Sequence, residues 1–393
     1  MRKFMKKNWC VAFVALALCA TAACKKSDTG KNQVKKIGIL MRTLEALGTE
    51  EAAEIRECIR QNAGNLNPRS GFTPLMLAAT KNATDVAKLL IKAGADVNAK
   101  DEDDRSALIY AADDNAIELA QLLIKSGADM NAKDRYDRTA LMKAAVKNEL
   151  DFARLLIKSG ADVNARDEDD ETALMKAARF SEDMTKLLIA EKADVNAKNN
   201  INQTALMFAV KYNAVDIAKM LIKEGVDINA KDWQGETALM YAAKRNQIEN
   251  LKFLLEAGAD MYAKDKDGYT VLMAAAEGNA ADTAKLFIEA GMDVNAKMDS
   301  KPRPLSSGWI GADWVDSYQM IDDWTALMLA AYRNAADVAR LLIKAGADVN
   351  TKTNEGKTAL TLAFEAEADM NREKPTPIKY EVIDVLKAAG AKE

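Results

Sequence analysis

The side chains that most enzymes use near neutral pH are poorly represented in this chain. Its 393 residues include no histidine, which is the usual general base and a frequent metal ligand. The four cysteines, Cys10, Cys19, Cys24 and Cys58, show no paired CxxC spacing. The sequence therefore excludes Ser-His-Asp triads, Cys-His dyads and His-ligated metal sites, and it argues against a zinc site or a disulfide framework.

Carboxylates form the other group with chemical potential. The run DEDD occurs at 101–104 and again at 167–170, which raises calcium binding or paired acid-base catalysis as alternatives. A calcium loop needs alternating ligands, a glycine at the sixth position and a later glutamate, and neither run provides that order. We interpret these residues as solvated turn residues, and we predict no catalytic residue, no metal site, no cofactor, no small-molecule substrate and no enzymatic activity.

These residues belong to a unit that recurs along the chain. The segment TALMKAAVKNELDFARLLIKSGADVNARDEDDE occupies 139–171. Its skeleton returns at a constant interval, apart from one step that is a single residue shorter and one much longer step between Thr270 and Thr325. The recurring unit begins at Thr73, Ser106, Thr139, Thr172, Thr204, Thr237, Thr270, Thr325 and Thr358. A fixed period of this kind indicates a tandem array of one supersecondary unit.

Each unit predicts two short helices followed by a turn-rich finger. Thr139 can cap the first helix, and LDFARLLIK has the apolar spacing of a second helix. Gly160 stands where a left-handed residue would end that helix. The following ADVNARDEDDE has the composition of turns and hairpins. Helices this small and rich in alanine bury their apolar faces only when copies stack.

The unit resembles the ankyrin repeat. Thr73-Pro74-Leu75 fits the opening motif of that family, GADVNAKD fits its finger, and the interval from Thr73 to Ser106 equals its period. The resemblance implies an all-α repeat solenoid with nine clear repeats and a degenerate N-terminal cap at about 37–66. In that cap EIRECIRQ aligns with DVAKLLIK, which predicts that Cys58 occupies a buried core position rather than acting as a reactive thiol.

Methionine replaces the histidine of the family's opening motif in most repeats, at Met76, Met142, Met175, Met207, Met240, Met273 and Met328. Ile109 and Thr361 complete the column. A stripe of methionines suggests copper binding as an alternative, but its recurrence once per repeat on a packed helix favours a core role. Lys192 stands where other repeats have glycine, and a non-glycine left-handed residue costs about 1 kcal/mol. We expect a local weak point there.

One finger is enlarged and is predicted to span about 298–321. It holds closely spaced aromatic residues, and two neighbouring fingers carry an aromatic residue just before the capping threonine, a position that tends to face the concave surface in ankyrin proteins. Aromatic residues are enriched at interface hot spots. The predicted partner contacts are Tyr269, Trp309, Trp314, Tyr318 and Trp324. The alternative is a loop that folds back onto the solenoid edge.

The amino-terminal region has the pattern of a targeting segment. Four basic residues precede an apolar stretch from Val11 to Ala23, which is shorter than the about 20 residues that span a bilayer. A cysteine after small residues resembles the lipobox of bacterial lipoproteins, which implies lipidation of Cys24; cleavage after Ala22 is the alternative. We predict a signal peptide at 1–23, a tether at 24–36 and the solenoid at 37–393.

Charge argues against nucleic acid as the partner. Removing residues 1–23 leaves 51 basic and 59 acidic residues, a net charge of −8. A basic residue recurs in the fingers, for example at Lys100 and Lys133, but an aspartate follows most of them and is expected to neutralise it. The sequence predicts a protein-binding scaffold, anchored in the bacterial envelope on its periplasmic or surface face. An inhibitor or immunity-type partner, and a structural spacer, are the alternatives.

Overall fold

The computed structural model describes residues 28–62, 64–68, 71–299, 323–371 and 380–393. These residues form twenty helices and no strands, apart from one isolated bridge between Lys297 and Thr325. Contacts divide the chain into two compact units. The N-terminal unit holds the described residues up to 177 together with 183–194, and the C-terminal unit holds 178–182 and the described residues from 195 onward.

The helices alternate in pairs along the chain, and the nine pairs from α3 onward confirm the predicted repeat architecture. The first ten are α1 (Asp28–Leu47), α2 (Glu50–Gln61), α3 (Pro74–Thr80), α4 (Thr84–Ala93), α5 (Ala107–Asp113), α6 (Ile117–Lys125), α7 (Ala140–Lys147), α8 (Leu150–Lys158), α9 (Ala173–Ala177) and α10 (Glu182–Ala190). The others are α11 (Ala205–Lys211), α12 (Val215–Lys223), α13 (Ala238–Lys244), α14 (Ile248–Glu256), α15 (Val271–Glu277), α16 (Ala281–Glu289), α17 (Ala326–Tyr332), α18 (Ala336–Lys344), α19 (Ala359–Asn371) and α20 (Glu381–Ala388).

A buried hydroxyl precedes the first helix of every repeat. Thr73, for example, accepts a hydrogen bond from the backbone N–H three residues later at 3.1 Å. The same bond, at 3.3 to 3.4 Å, forms at Ser106, Thr139, Thr172, Thr204, Thr237, Thr270, Thr325 and Thr358. Each bond satisfies one of the free N–H groups at a helix start. The predicted capping role of these residues is confirmed.

In most repeats a methionine supplies the backbone N–H that the capping hydroxyl binds, and its side chain lies in the core. These seven methionine side chains are buried. In three repeats the thioether also accepts a hydrogen bond from the N–H of the capping threonine, at Met76, Met273 and Met328. A polarizable sulfur therefore closes a reciprocal cap inside an apolar layer. This geometry favours the predicted core role over copper binding.

Left-handed residues recur at fixed places because the chain turns sharply there. Asn82, Asp104 and Gly94 represent the three positions: after the first helix, in the finger, and after the second helix. Glycine, asparagine and aspartate tolerate this conformation better than other residues. Lys192 adopts it at φ 67° where other repeats use glycine, as expected. The same repeat has the five-residue helix α9, and the boundary between the two units falls within it.

The N-terminal cap differs from one expectation. Cys58 is half-buried rather than buried, because it aligns with Leu89, which is itself half-buried, while Ile59 occupies the core position. Helix α1 begins at Asp28, and the boundary between tether and solenoid at residue 36 stays a prediction. Cys24 and residues 300–322 of the enlarged finger lie outside the described residues. Among the described helices, none has the length and apolar character required to cross a membrane.

Candidate functional site

Six of the described fingers are each built around a polar side chain that organises its own turn. Asp101 accepts hydrogen bonds from the backbone N–H groups of Asp103 and Arg105, both at 2.9 Å. The same pair of bonds forms at Asp134, Asp167, Asn199, Asp232 and Asp265. The first aspartate of each DEDD run is thus committed to the turn, as its interpretation as a turn residue predicts.

Neighbouring fingers are joined by backbone hydrogen bonds. In the N-terminal unit the N–H of Arg135 donates to the carbonyl of Asp103 at 2.8 Å. In the C-terminal unit the N–H of Trp233 donates to the carbonyl of Ile201 at 2.9 Å. These bonds set the register of one fingertip against the next, so side chains at the tips are held on a preorganised surface.

An asparagine ladder joins the same repeats at the base of the fingers. Asn98 donates to the carbonyl of Gly127 at 3.0 Å and accepts from the N–H of Asp129 at 2.8 Å. Asn67, Asn131, Asn164, Asn196, Asn229, Asn295 and Asn350 accept the corresponding N–H bond from the following repeat. Tyr262 takes the place of asparagine in one repeat, and its side chain is exposed.

The basic residues of the fingers are held differently from the prediction. The ammonium of Lys100 donates to the carbonyl of Lys133 in the next repeat at 3.1 Å. Its nearest carboxylate is that of Asp104 at 3.8 Å, four residues on, whereas the adjacent Asp101 pairs with Arg105 at 3.0 Å. The adjacent aspartate is unavailable because it organises the turn. The finger cation therefore does form a local ion pair, but its carboxylate partner is not the adjacent aspartate.

An aromatic and charged group surrounds the finger base in the N-terminal unit. The Tyr110 hydroxyl donates to Asp101 at 2.6 Å, and the Tyr110 ring meets Phe72 edge to face at 5.2 Å. Burial alone would raise the pKa of Asp101, but hydrogen bonds from Tyr110 and Arg105 hold it below its usual value. Burial and the Asp101 charge raise the pKa of Tyr110. Asp101 therefore stays charged and Tyr110 stays neutral, which stabilises this contact over a wide pH range.

A buried carboxylate lies at the end of the first helix α15 in the C-terminal unit. Glu277 lies 2.9 Å from Lys244 and 2.9 Å from Arg333, and it accepts the Tyr269 hydroxyl at 2.6 Å. Burial alone would raise the pKa of Glu277, but the two cations and the hydroxyl lower it to about 2. The adjacent Gly278 lets the chain approach closely, since a Cβ there would overlap the carbonyl oxygen of Lys244. Three successive repeats are joined through this carboxylate.

The aromatic residues predicted to contact a partner fall into two groups. Tyr269 and Trp324 are only 2% and 3% exposed. Tyr269 donates its hydroxyl to Glu277, and Trp324 packs edge to face on Tyr332 at 5.5 Å. A direct contact from either ring would require it to turn outward. Trp309, Trp314 and Tyr318 lie outside the described residues, and their contact with a partner stays a prediction.

Aromatic side chains that were not predicted to contact a partner are exposed in the C-terminal unit. Phe180 is 75% exposed and Tyr212 is 43% exposed, and their rings meet at 4.8 Å. Trp233 is 48% exposed at a fingertip beside Ile201. Phe180 and Tyr212 follow the first helix in a column that is polar in most repeats, as at Lys81, Asp114 and Lys147. Their departure from that column was the available sequence signal.

Two features of the described residues bear on possible chemistry. No group of three or more Cys, Asp or Glu side chains within them is arranged to hold a metal ion. A cavity of about 420 Å³ is lined by Glu54, Cys58, Phe72 and Leu77, among others. Burial raises the pKa of the Cys58 thiol, which disfavours the nucleophilic thiolate.

Comparison with known proteins agrees with this architecture. A family profile described as "Ankyrin repeats (3 copies)" matches residues 19–134, 98–167, 165–232 and 231–298. A second, "Ankyrin repeats (many copies)", matches residues 318–363. Protein phosphatase 1 regulatory subunit 12A of Homo sapiens is 42% identical over 79 residues, which is 19% of this chain. The match covers 7% of that protein's length.

The matched residues make up well over half of the chain, and they coincide with the paired helices, the capping hydroxyls and the linked fingers. The chain belongs to the ankyrin repeat family.

Proposed function

We propose that this protein is a non-catalytic scaffold that binds a protein partner through its fingers and first helices. Ankyrin repeats suggest protein-protein interaction, and the human relative is named as a regulatory subunit. We further propose that the chain is exported, cleaved before Cys24 and held in the bacterial envelope by a lipid on that cysteine. The amino-terminal sequence pattern supports this second part.

The observation that carries the binding proposal is the set of linked fingers. Backbone bonds and the asparagine ladder hold successive fingers in register, and Trp233 is half exposed beside Ile201 at their tips. A preorganised surface loses little conformational entropy on association. An exposed tryptophan on such a surface has the properties of an interface hot spot.

A crosslinking capture from envelope extracts tests binding. The intact protein is compared with Trp233→Ala, with a variant lacking residues 299–320, and with Glu289→Gln, which alters an exposed residue of a second helix. We expect the intact protein and Glu289→Gln to capture the same protein. If Trp233→Ala no longer captures that protein, the fingertips are the binding site. If the deletion variant no longer captures it, the enlarged finger is the binding site. Equal capture by all four forms contradicts binding through the fingers, and absence of any captured protein favours a spacer.

Incorporation of labelled palmitate tests the anchor. The intact chain should become labelled and should partition into detergent, whereas Cys24→Ala should remain unlabelled. A labelled Cys24→Ala chain, or an unlabelled intact chain with an amino terminus at Cys24 or Ala23, would contradict lipidation of Cys24.

A further inference from the structure

We infer that the C-terminal unit carries a second docking surface, formed by Phe180, Tyr212 and Arg245, that takes an extended acidic peptide segment with an apolar anchor residue. The inference deepens the proposed function and rests on it, since it supposes that the protein binds polypeptides. The surface lies at the opposite end of the first helices from the fingertips, because these residues follow the first helix whereas the finger precedes it.

The apolar part of the surface is a pair of exposed rings. Phe180 and Tyr212 pack edge to face with an interplanar angle of 70°, yet Phe180 leaves three quarters of its surface in water. Single exposed apolar residues are ordinary on protein surfaces. Two large rings that contact each other across successive repeats form a joint patch, which can bury one apolar side chain of a partner.

At the ends of the first helices in this region, basic residues outnumber acidic ones. We consider the positions seven and eight residues after the capping threonine in the five repeats from Thr172 to Thr325. The basic residues at these positions are Arg179, Lys211, Lys244, Arg245 and Arg333. Glu277 is the single acidic residue among them, and it is buried against Lys244 and Arg333. In the N-terminal unit, Lys81 and Lys147 are balanced by Asp113 and Asp114 at the same positions.

Arg245 is the cation best placed to meet a partner. Its side chain is exposed, and it forms no ion pair with any residue in the described part of the chain. Its guanidinium lies 6.0 Å from the centre of the Tyr241 ring. Acidic residues do occur nearby in the first turns of the second helices, at Asp216, Glu249 and Asp282. The Asp282 carboxylate accepts a hydrogen bond at 3.2 Å from Asn246, the residue after Arg245. Glu249, however, pairs with Lys219 of the neighbouring second helix at 3.3 Å.

Repeat spacing sets the geometry of the ligand. Tyr212 and Arg245 occupy equivalent positions after α11 and α13, which pack side by side in the C-terminal unit. Packed helix axes lie about 8–10 Å apart, and an extended chain advances about 3.3 Å per residue. A peptide crossing the repeats would therefore place an apolar residue against Phe180 and Tyr212 and a carboxylate near Arg245 about three residues further on.

Single-stranded nucleic acid is the other polymer that basic and aromatic side chains bind. The net charge of −4 for the whole chain and the acidic first turns beside the surface disfavour a polyanion of that charge density. A peptide with one or two carboxylates meets Arg245 without crowding those acidic residues. The charge pattern thus favours the peptide.

Selection from a phage library of random 12-residue peptides tests the inference with the full-length chain in mild detergent. Selected peptides are synthesised, and their dissociation constants are measured by fluorescence anisotropy for the intact protein and for Phe180→Ser, Tyr212→Ser and Arg245→Glu. Val146→Ser is the matched control, because it removes an exposed apolar side chain in the other unit. All four substitutions alter exposed residues, and circular dichroism checks that each variant is folded.

We expect the selected peptides to carry a carboxylate about three residues from an apolar side chain. Phe180→Ser and Arg245→Glu should weaken binding at least tenfold, and Val146→Ser should leave it unchanged. A peptide with its carboxylate replaced by lysine should bind Arg245→Glu better than the intact protein.

Selection of basic or uncharged peptides, failure to select any peptide, or dissociation constants unaffected by the substitutions would each overturn the inference. The inference would also be overturned if a twelve-residue oligothymidine displaced the peptide at a concentration lower than that of the peptide. The capture experiment with Trp233→Ala is independent of this surface. If finger-dependent capture succeeds while peptide selection fails, the inference fails and the proposed function stands.

Discussion

Replacing Glu277 by glutamine should destabilise the C-terminal unit strongly although it changes only one atom of the side chain. The carboxylate is nearly fully buried and is shared by Lys244, Arg333 and the Tyr269 hydroxyl. Glutamine keeps the volume but leaves both cations without their counter-charge. Removing one partner of a buried ion pair is much more costly than losing an exposed pair, because the remaining charge stays desolvated.

The lowered pKa of Glu277 sets the size of the expected loss in the free energy of unfolding. It is lowered from 4.5 to about 2, and each pKa unit corresponds to about 1.36 kcal/mol, so the charged form is favoured by about 3 kcal/mol. Because the folded pKa lies below the unfolded one, this contribution is complete above about pH 4.5 and is lost as the pH falls towards 2. The difference between the two proteins should therefore be constant from pH 7 to pH 5 and smaller at pH 3.

Urea unfolding of the full chain, followed by circular dichroism at pH 7, 5 and 3, measures this difference. Glu289→Gln is the control, since Glu289 is exposed and pairs with Lys285 at 4.0 Å within one helix. The control should change the free energy of unfolding by less than about 1 kcal/mol. A loss below about 1 kcal/mol for Glu277→Gln at pH 7, or a loss that does not shrink at pH 3, would refute the reasoning.

Four further substitutions and one control test other features of the repeats by thermal unfolding. Lys192→Gly should stabilise by roughly 0.5–1 kcal/mol, because it relieves left-handed strain; a lower Tm would contradict this. Gly278→Ala should cost about 1–3 kcal/mol, because its Cβ would overlap a backbone carbonyl oxygen, whereas Gly38→Ala, which meets nothing within 4 Å, should not destabilise. Asn98→Ala should cost about 1–2 kcal/mol through two lost cross-repeat bonds. Tyr262→Asn should gain a similar amount, and the ladder has no such role if both variants melt like the parent.

The local rules of the repeat were accessible from the sequence. The capping hydroxyls, the second-helix stop and the left-handed Lys192 follow from the chemistry of individual residues at a fixed period. Contacts between repeats were less accessible. Cys58 was assigned to the core because it aligns with a leucine, but two adjacent leucines in that pattern differ in burial, and Cys58 matches the less buried one.

In the candidate site, too, contacts between side chains were less predictable from the sequence than the local rules of the repeat. Tyr269 was expected at a binding surface because of its position before the capping threonine. Its ring is buried because the Glu277 carboxylate, eight residues on, accepts its hydroxyl. Conversely, Phe180 and Tyr212 stand in a loop column that carries no core pattern, and only their contact shows that they form one patch.

The sequence by itself determined the fold of this protein, because a repeat period combined with caps, stops and an apolar spacing restricts each unit to one arrangement that stacks on its copies. Tertiary structure alone decided which polar and aromatic side chains are buried inside the solenoid and which remain on its surface. That choice depends on partners one repeat away, such as Lys244 and Arg333 around Glu277, and on the distance and burial that electrostatic and ring contacts require. No spacing along a single repeat contains that information.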